Sequence, residues 1–423
     1  MARGDQWVAP ARRGGGARRG RSSGVAARRA IVVVLLVVLV LGIGSIIQLL
    51  RGVPNPTYRP VLAEVGRVAG GAPQVNWPSG AESAAEILGV GYLGEHGGTR
   101  ETEIASVAKM TTALLTVKAH PLSLGEPGPE LTMTPADYQI YQQDVAAGDS
   151  VGKIAEGEKL SEYQLLELLL IPSADNIATV LARWDAGSVT AFVAQMNSFA
   201  AGLGLHHTHY GDPSGLTSAT LSIPRDQLKI ESLFMANPVL AYIASKPQAT
   251  LPVAGTVYNV DYALGHAHIV GAKTGSITTG NFAMATQFQV DGRQVYGLGV
   301  VLDAGGVQPL INALHDGEQL ARSLQTIPRA VQVLRKGEVV GDLEIPGSTP
   351  DPIVATKTID DLGWGGLSES FAPTLNKGSL YGLKAGQQVG TLTVTVGQQL
   401  EIVPLRIEHA VTKPSVLYRL THL

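Results

Sequence analysis

The sequence predicts a mixed α/β domain set between one N-terminal membrane-spanning helix and a small C-terminal all-β domain. Three observations lead there. Ala30 to Leu50 is an uncharged run of 21 residues, residues 75–325 alternate helix-like and strand-like patterns, and past Ile327 only short strands and turns follow. The chain's 423 residues leave room for two or three folded units at roughly 100–200 residues each. Hydrophobic residues make up 45% and charged residues 16%, which excludes a disordered, collagen-like or coiled-coil chain. Cysteine is absent, so disulfide frameworks, thiol nucleophiles and cysteine-ligated metal centres are excluded together.

The elements follow in order. Residues 1–29 carry eight arginines and read as a cytoplasmic tail that sets topology by the positive-inside rule. Residues 30–50, at about 1.5 Å per residue, make a helix of roughly 30 Å, the thickness of a bilayer core. An uncleaved signal anchor is the favoured reading. The alternative is a secreted protein cleaved near Gly44, where Gly42 and Gly44 offer small residues. Residues 51–74 hold Pro54, Pro56 and Pro60 and are expected to form a Pro-rich stalk.

Within 75–325, Ala85–Leu93 reads as a strand and Ser106–Lys118 as an apolar helix. Ser161 and Gln164 form a capping box for a helix that ends at Ile171 and Pro172. Ser188 is a candidate cap for a helix running to Gly202–Gly204. A strand begins over Ile269–Lys273. Phe282–Val290 and Gln294–Leu302 alternate about Asp291-Gly292, a two-residue hairpin signal. A helix lies near Val307–Leu324. The all-β domain is expected over 330–423, with turns at Lys336-Gly337 and Val396-Gly397. The final ten residues are too mixed in pattern to predict a membrane-surface helix.

Charge narrows the partners. Beyond Arg51 the chain carries 23 cations against 34 acids. Nucleic acid is therefore not an expected partner, since phosphates demand a basic face. His206, His207 and His209, with His266 and His268, are clustered, but no His-Glu-x-x-His helix accompanies them, so no metal and no cofactor is expected.

Three short motifs carry chemistry. Ser106 and Lys109 stand at i and i+3 of a helix, so hydroxyl and amine share a face. A desolvated lysine there can take the hydroxyl proton and make serine a nucleophile. Placing Ser106 at a helix start also puts unpaired N–H groups where an oxyanion would form. Ser173, Asp175 and Asn176 fall on a turn between two helices, where Ser and Asp would ordinarily be caps. Lys273, Thr274 and Gly275, followed by Ser276, end a strand. There a lysine and a hydroxyl can hold a carboxylate, while glycine permits a ligand to approach closely. Taken singly, each motif has an ordinary structural explanation.

In this order, with steps of 67 and 100 residues, the motifs resemble those of the serine penicillin-recognising enzymes. The chain is similar to low-molecular-weight penicillin-binding proteins of the D-alanyl-D-alanine carboxypeptidase type. Tyr210-Gly-Asp-Pro-Ser-Gly-Leu216 adds a loop like that family's Asn-Pro-x-Gly-Leu. The resemblance implies a penicillin-binding/β-lactamase-like domain with an antiparallel sheet and a helical subdomain over 75–325. It also implies a peptidoglycan pentapeptide ending in D-Ala-D-Ala as substrate, β-lactam antibiotics as inhibitors, and a site at the cytoplasmic membrane.

The roles implied by the family are nucleophile for Ser106, general base for Lys109, and proton relay for Ser173 linked to Lys273. Thr274 would bind the terminal carboxylate, and the N–H groups of Ser106 and Ser276 would form the oxyanion hole. As a base, Lys109 must be neutral, so its pKa is expected to be lowered by burial and by the Lys273 charge.

One position departs from the pattern. The family usually has Asn where Asp175 stands, and an ionised Asp cannot donate a hydrogen bond. Either Asp175 acts in a changed role beside the two lysines, or Asn176 shifts in, or the site is impaired. Impairment would leave a penicillin-binding-like wall scaffold. A β-lactamase would need a deacylating glutamate between the second and third motifs, and Glu231 there does not fit its pattern.

Overall fold

The computed structural model describes residues 23–97 and 100–422, so most of the expected Arg-rich tail (1–22) lies outside the described residues. Helix α1 (Ser23–Leu50) has 28 residues and begins before the apolar run, because Arg28 and Arg29 continue the helix. It is the only helix among the described residues long and apolar enough to cross a membrane, a property that signal sequences share.

Strands β1 (Thr57–Pro60) and β2 (Val65–Arg67) come next, inside the segment expected to be a stalk. Their partners lie at the far end of the chain. Strand β1 pairs with residues 341–344 and β2 with residues 368–370, both antiparallel. The prolines do not prevent this, since an edge strand needs hydrogen bonds on one side only and tolerates Pro60 at its end.

The predicted strand Ala85–Leu93 is instead a hairpin, β3 (Glu82–Ile87) and β4 (Gly91–His96), closed by a turn in which Val90 N–H donates to Ile87 O at 2.9 Å. A 3₁₀ turn over Ala105–Ala108 then leads into α2 (Lys109–Ala119), so the expected helix at Ser106 begins in tighter form. Helices α3 (Pro135–Ala147), α4 (Glu162–Leu170), α5 (Asp175–Ala186), α6 (Val189–Gly202), α7 (Pro224–Ala236) and α8 (Pro238–Ala244) follow. Ser161 and Gln164 cap α4 reciprocally, at 3.3 and 2.9 Å. The Ser188 hydroxyl accepts from Ala191 N–H at 3.2 Å at the start of α6. Both caps are as expected from sequence.

Strands β5 (Ile269–Ser276), β6 (Gly280–Val290) and β7 (Arg293–Ala304) complete the first sheet, and α9 (Pro309–Leu324) follows. Strands β6 and β7 form the expected hairpin, with Val290 opposite Arg293 across Asp291-Gly292. The strand order is β5-β6-β7-β3-β4, antiparallel throughout. Alternation along the strands serves two cores. Ala84, Ala283 and Val300 face α2 and α4–α8. Ala85, Phe282 and Val301 face the other way, in a core shared with α9 and the C-terminal residues.

The remainder is β-rich, as expected: β8 (Arg329–Leu334), β9 (Val339–Glu344), β10 (Asp351–Ala355), β11 (Ile359–Gly363), β12 (Ser368–Leu375), β13 (Gln388–Val396) and β14 (Gln399–Ile407). Seven strands form one sheet in the order β1-β9-β10-β14-β13-β12-β2, while β8 and β11 pair separately. This unit packs onto the β3–β4 turn. Gln398 N–H donates to Val90 O at 2.9 Å, and Trp364 and Leu367 share the core of Val90. A short helix α10 (Val416–His422) follows, with the Arg419 guanidinium on the Leu49 carbonyl at the end of α1.

An ectodomain beginning at residue 75 should therefore unfold at a lower temperature than one beginning at residue 55. The expected drop is roughly 5 °C or more, the shift that about 1 kcal/mol makes in a unit of this size. Thermal unfolding of the two chains checks it. Equal midpoints would mean that β1 and β2 contribute nothing to stability.

Candidate active site

The site forms where the free edge of β5 meets the turn that carries Ser106. Strand β5 pairs with β6 alone, leaving its other edge open. A Cβ on Gly275 would stand 2.8 Å from Ser106 N, 2.9 Å from Ile104 O and 3.0 Å from Val107 N. The third-motif glycine thus makes room for the backbone of Ser106 itself, whereas the sequence suggested room for a ligand. On the opposite side Gly215 (φ +87°) lies against the Ala105 carbonyl, which any side chain there would overlap. Ala105 is held at φ +47° and Ser173 at φ +64°, in the left-handed region that costs non-glycine residues energy. Both strained residues flank the candidate chemistry.

Lys109 is fully buried. Its Nζ donates to Ser106 Oγ at 2.7 Å, Asp175 Oδ1 at 2.6 Å and Ser214 O at 3.2 Å, with Ser173 Oγ at 3.4 Å. Burial lowers the Lys109 pKa, as expected from sequence. The strongest charge acting on it is the Asp175 carboxylate rather than Lys273, and that carboxylate pulls the other way.

The second motif does not cap α5. The helix is preceded by Ala174 with no side-chain cap, and Asp175 is its first residue. Asp175 Oδ2 accepts from Ser150 N–H at 3.1 Å, and its own N–H donates to Ser150 O at 2.7 Å. Burial raises its carboxyl pKa, against the pull of Lys109. Asn176 is turned elsewhere. Its amide nitrogen donates to Gly152 O at 2.9 Å and its oxygen accepts from Gly152 N–H at 2.9 Å, both buried. Both polar atoms of the Asn176 amide are thus spent on the 150–152 loop, which leaves no free amide group for the alternative in which Asn176 shifts in. Asp175 occupies the motif position facing Lys109.

In the third motif Lys273 is buried and its Nζ donates to Thr274 O at 2.8 Å. Burial and the neighbouring Lys109 charge push its pKa well down, opposed by Asp175 and Asp261. The expected link between Ser173 and Lys273 is not a hydrogen bond among the described residues; Ser173 reaches Lys109 instead. Thr274 is buried on β5, and Ser276 is exposed at its end.

Sequence reasoning missed Asp212. Its carboxylate accepts from the N–H groups of Ser214, Gly215, Leu216 and Thr217 and from the hydroxyls of Ser214, Thr217 and Thr220. That knot aims Ser214 O at Lys109 and sets Gly215 against Ala105. Asp followed by Pro-Ser-Gly is a turn signal with this mechanism, visible in sequence though not its purpose. Burial alone would raise the Asp212 carboxyl, but the Ser214 and Thr217 donors outweigh it and hold it at about 2.

Glu231 does not enter the site. It is fully buried on α7, both its oxygens lack hydrogen-bond partners among the described residues, and burial with nearby Glu86 raises its pKa. His207 and His266 each pair with a separate carboxylate, Glu101 at 3.2 Å and Glu318 at 3.0 Å.

Known proteins are similar to this chain in sequence and in fold. The family model described as D-alanyl-D-alanine carboxypeptidase matches residues 92–304. A D-alanyl-D-alanine carboxypeptidase of Streptomyces sp. (strain K15) is 27% identical over 245 residues, covering 52% of this chain and 83% of that protein. A D-alanyl-D-alanine endopeptidase of Escherichia coli is 27% identical over 163 residues, 36% of this chain, and the match spans about half (49%) of its length. Among solved structures, penicillin binding protein 5 from Haemophilus influenzae has a TM-score of 0.55 at 16% identity, covering 82% of this chain and all (100%) of that one. The likeness at that identity is one of fold.

Two outcomes follow. Asn176→Ala leaves the buried Gly152 N–H and C=O unpaired and should cost about 2–4 kcal/mol of stability, read by denaturant unfolding. Asp212 has a folded pKa below its unfolded value of about 3.9. Its contribution is therefore complete above that value and lost as pH falls toward about 2. The stability gap between wild type and Asp212→Asn should be full at neutral pH and close under acid. A gap that holds constant with pH would rule out the carboxylate as its source.

Proposed function

Because this chain belongs to the D-alanyl-D-alanine carboxypeptidase family, we propose that it is a membrane-anchored serine peptidase. It removes the terminal D-alanine of peptidoglycan stem peptides through an acyl-enzyme on Ser106, and β-lactams block it there. The observation that carries the reading is the buried Lys109 amine 2.7 Å from Ser106 Oγ, a nucleophile and base within hydrogen-bond reach.

Ser106 attacks the carbonyl between the two D-alanines as Lys109 takes its proton. The N–H groups of Ser106 and Ser276 hold the developing oxyanion, a reading supported by the close approach of the Ser106 backbone to Gly275, the residue before Ser276. Ser173, 3.4 Å from Lys109 Nζ, passes a proton to the departing amine. Thr274 and Lys273 on the open edge of β5 receive the terminal carboxylate, and water then releases the shortened peptide. Helix α1 is the anchor, with the arginines before residue 30 keeping its start in the cytoplasm. The peptidase unit and the β-rich unit behind it then lie outside.

The test is the intact mass of the ectodomain over time with benzylpenicillin, beside Ser106→Ala. The expected result is a lasting adduct of one drug mass that the variant lacks. An adduct that vanishes within seconds while drug is consumed would favour a β-lactamase. No adduct at any time would favour a wall scaffold that has lost the reaction.

A further inference from the structure

Resting on the reading that Ser106 is acylated with Lys109 as its base, we propose that Asp175 is the proton-accepting partner of Lys109. The base is then a buried amine–carboxyl pair rather than a lone amine, and it rests as an ion pair. The geometry carries this. Asp175 Oδ1 is 2.6 Å from Lys109 Nζ, and both side chains are almost wholly out of solvent, at 3% and 0% exposed. The carboxylate cannot swing away. Ser150 N–H holds its second oxygen, and Asn176 anchors the 150–152 loop that supplies Ser150.

The charged groups facing the pair, itself formed between α2 and α5, come from four further segments. Lys273 lies on β5, Asp144 is on α3, Asp149 is in the loop before Ser150, and Asp212 is in the 210–217 loop. Burial lowers Lys109 and raises Asp175, so the ion pair and the neutral pair are drawn together in energy. The two forms differ only in where one proton sits, and exchanging them needs no proton from water.

The step balances. One proton moves from Lys109 to Asp175, leaving a neutral amine. The Ser106 hydroxyl proton passes to Lys109 Nζ as Oγ bonds to the scissile carbonyl carbon. As the C–N bond breaks, Ser173 gives its hydroxyl proton to the leaving nitrogen, and Lys109 returns one to Ser173. The pair is then neutral, and the proton on Asp175 goes back to Lys109. An Asn at this position could not hold the proton, so an amine that rests protonated would have to surrender it to solvent before it could act as the base.

The experiment measures the rate of benzylpenicillin adduct formation against pH, at a low and a high temperature, for wild type and Asp175→Asn. The acid limb of the wild type should scarcely move with temperature, as carboxyl ionisation behaves. In Asp175→Asn the limb should lie at higher pH, fall on warming as an amine's does, and leave the rate in mild acid at least ~10-fold lower. Complete loss of acylation in the variant, with wild-type unfolding, would make the carboxylate obligatory and also support the pair. Identical limbs in the two proteins would overturn it. The wild-type temperature dependence decides alone if the variant fails to fold, because an amine-like limb there removes the pair. A wild type that forms no adduct at all removes the acyl-enzyme reading beneath it, a result distinct from an acylated wild type with an amine-like limb.

Discussion

A single buried amine organises this site. Lys109 Nζ joins the Ser106 turn, the α4–α5 connection through Asp175 and Ser173, and the 210–217 loop through Ser214 O. An ammonium taken from water without partners costs several kcal/mol, so burying Lys109 obliges the fold to bring acceptors from distant segments to one point. Much of the surrounding structure reads as scaffolding for those acceptors. The Asp212 knot shapes one loop, the Asn176–Gly152 pair another, and the glycines at 215 and 275 let both walls close on the nucleophile.

Backbone strain sits where these constraints converge. Ala105 and Ser173 both take positive φ; Ala105 precedes the Ser106 hydroxyl, and Ser173 itself carries the other hydroxyl that the proposed chemistry uses. Strain of this kind costs of order 1–3 kcal/mol and persists only where neighbours over-determine it. Gly215 pressing on Ala105 and α4 running directly into α5 around Ser173 supply that over-determination. Stability and reactivity therefore draw on the same contacts, so substitutions around Lys109 will tend to change both together.

Local chemistry was legible in the sequence and long-range pairing was not. The caps at Ser161 and Ser188 and the Asp291-Gly292 hairpin depend on neighbours within a few residues, and each stands where the pattern placed it. That Lys109 would reach Ser173 as well as Ser106 follows from no single motif, since none of them determines a contact across 64 residues. Asp175 against Asn176 could not be decided in advance. Adjacent residues at the start of a helix point in different directions, and only the position of the 150–152 loop says which one it takes. The strands at 57–60 and 65–67 were hidden for a related reason: they are short, carry proline, and acquire their partners some 300 residues later.

That last pairing bears on how the molecule comes into being. The seven-stranded sheet is bounded on both sides by strands made among the first to leave the ribosome, while its central strand, β14, ends at Ile407. Contacts of such sequence separation are slow to form and expose unpaired edges while they wait. Closing the sheet therefore requires nearly the whole polypeptide. A chain interrupted before β14 keeps every residue of the Lys109 cluster and the partners of β1 and β2, yet it lacks the strand that joins β10 to β13, so the sheet is left as two halves with open edges.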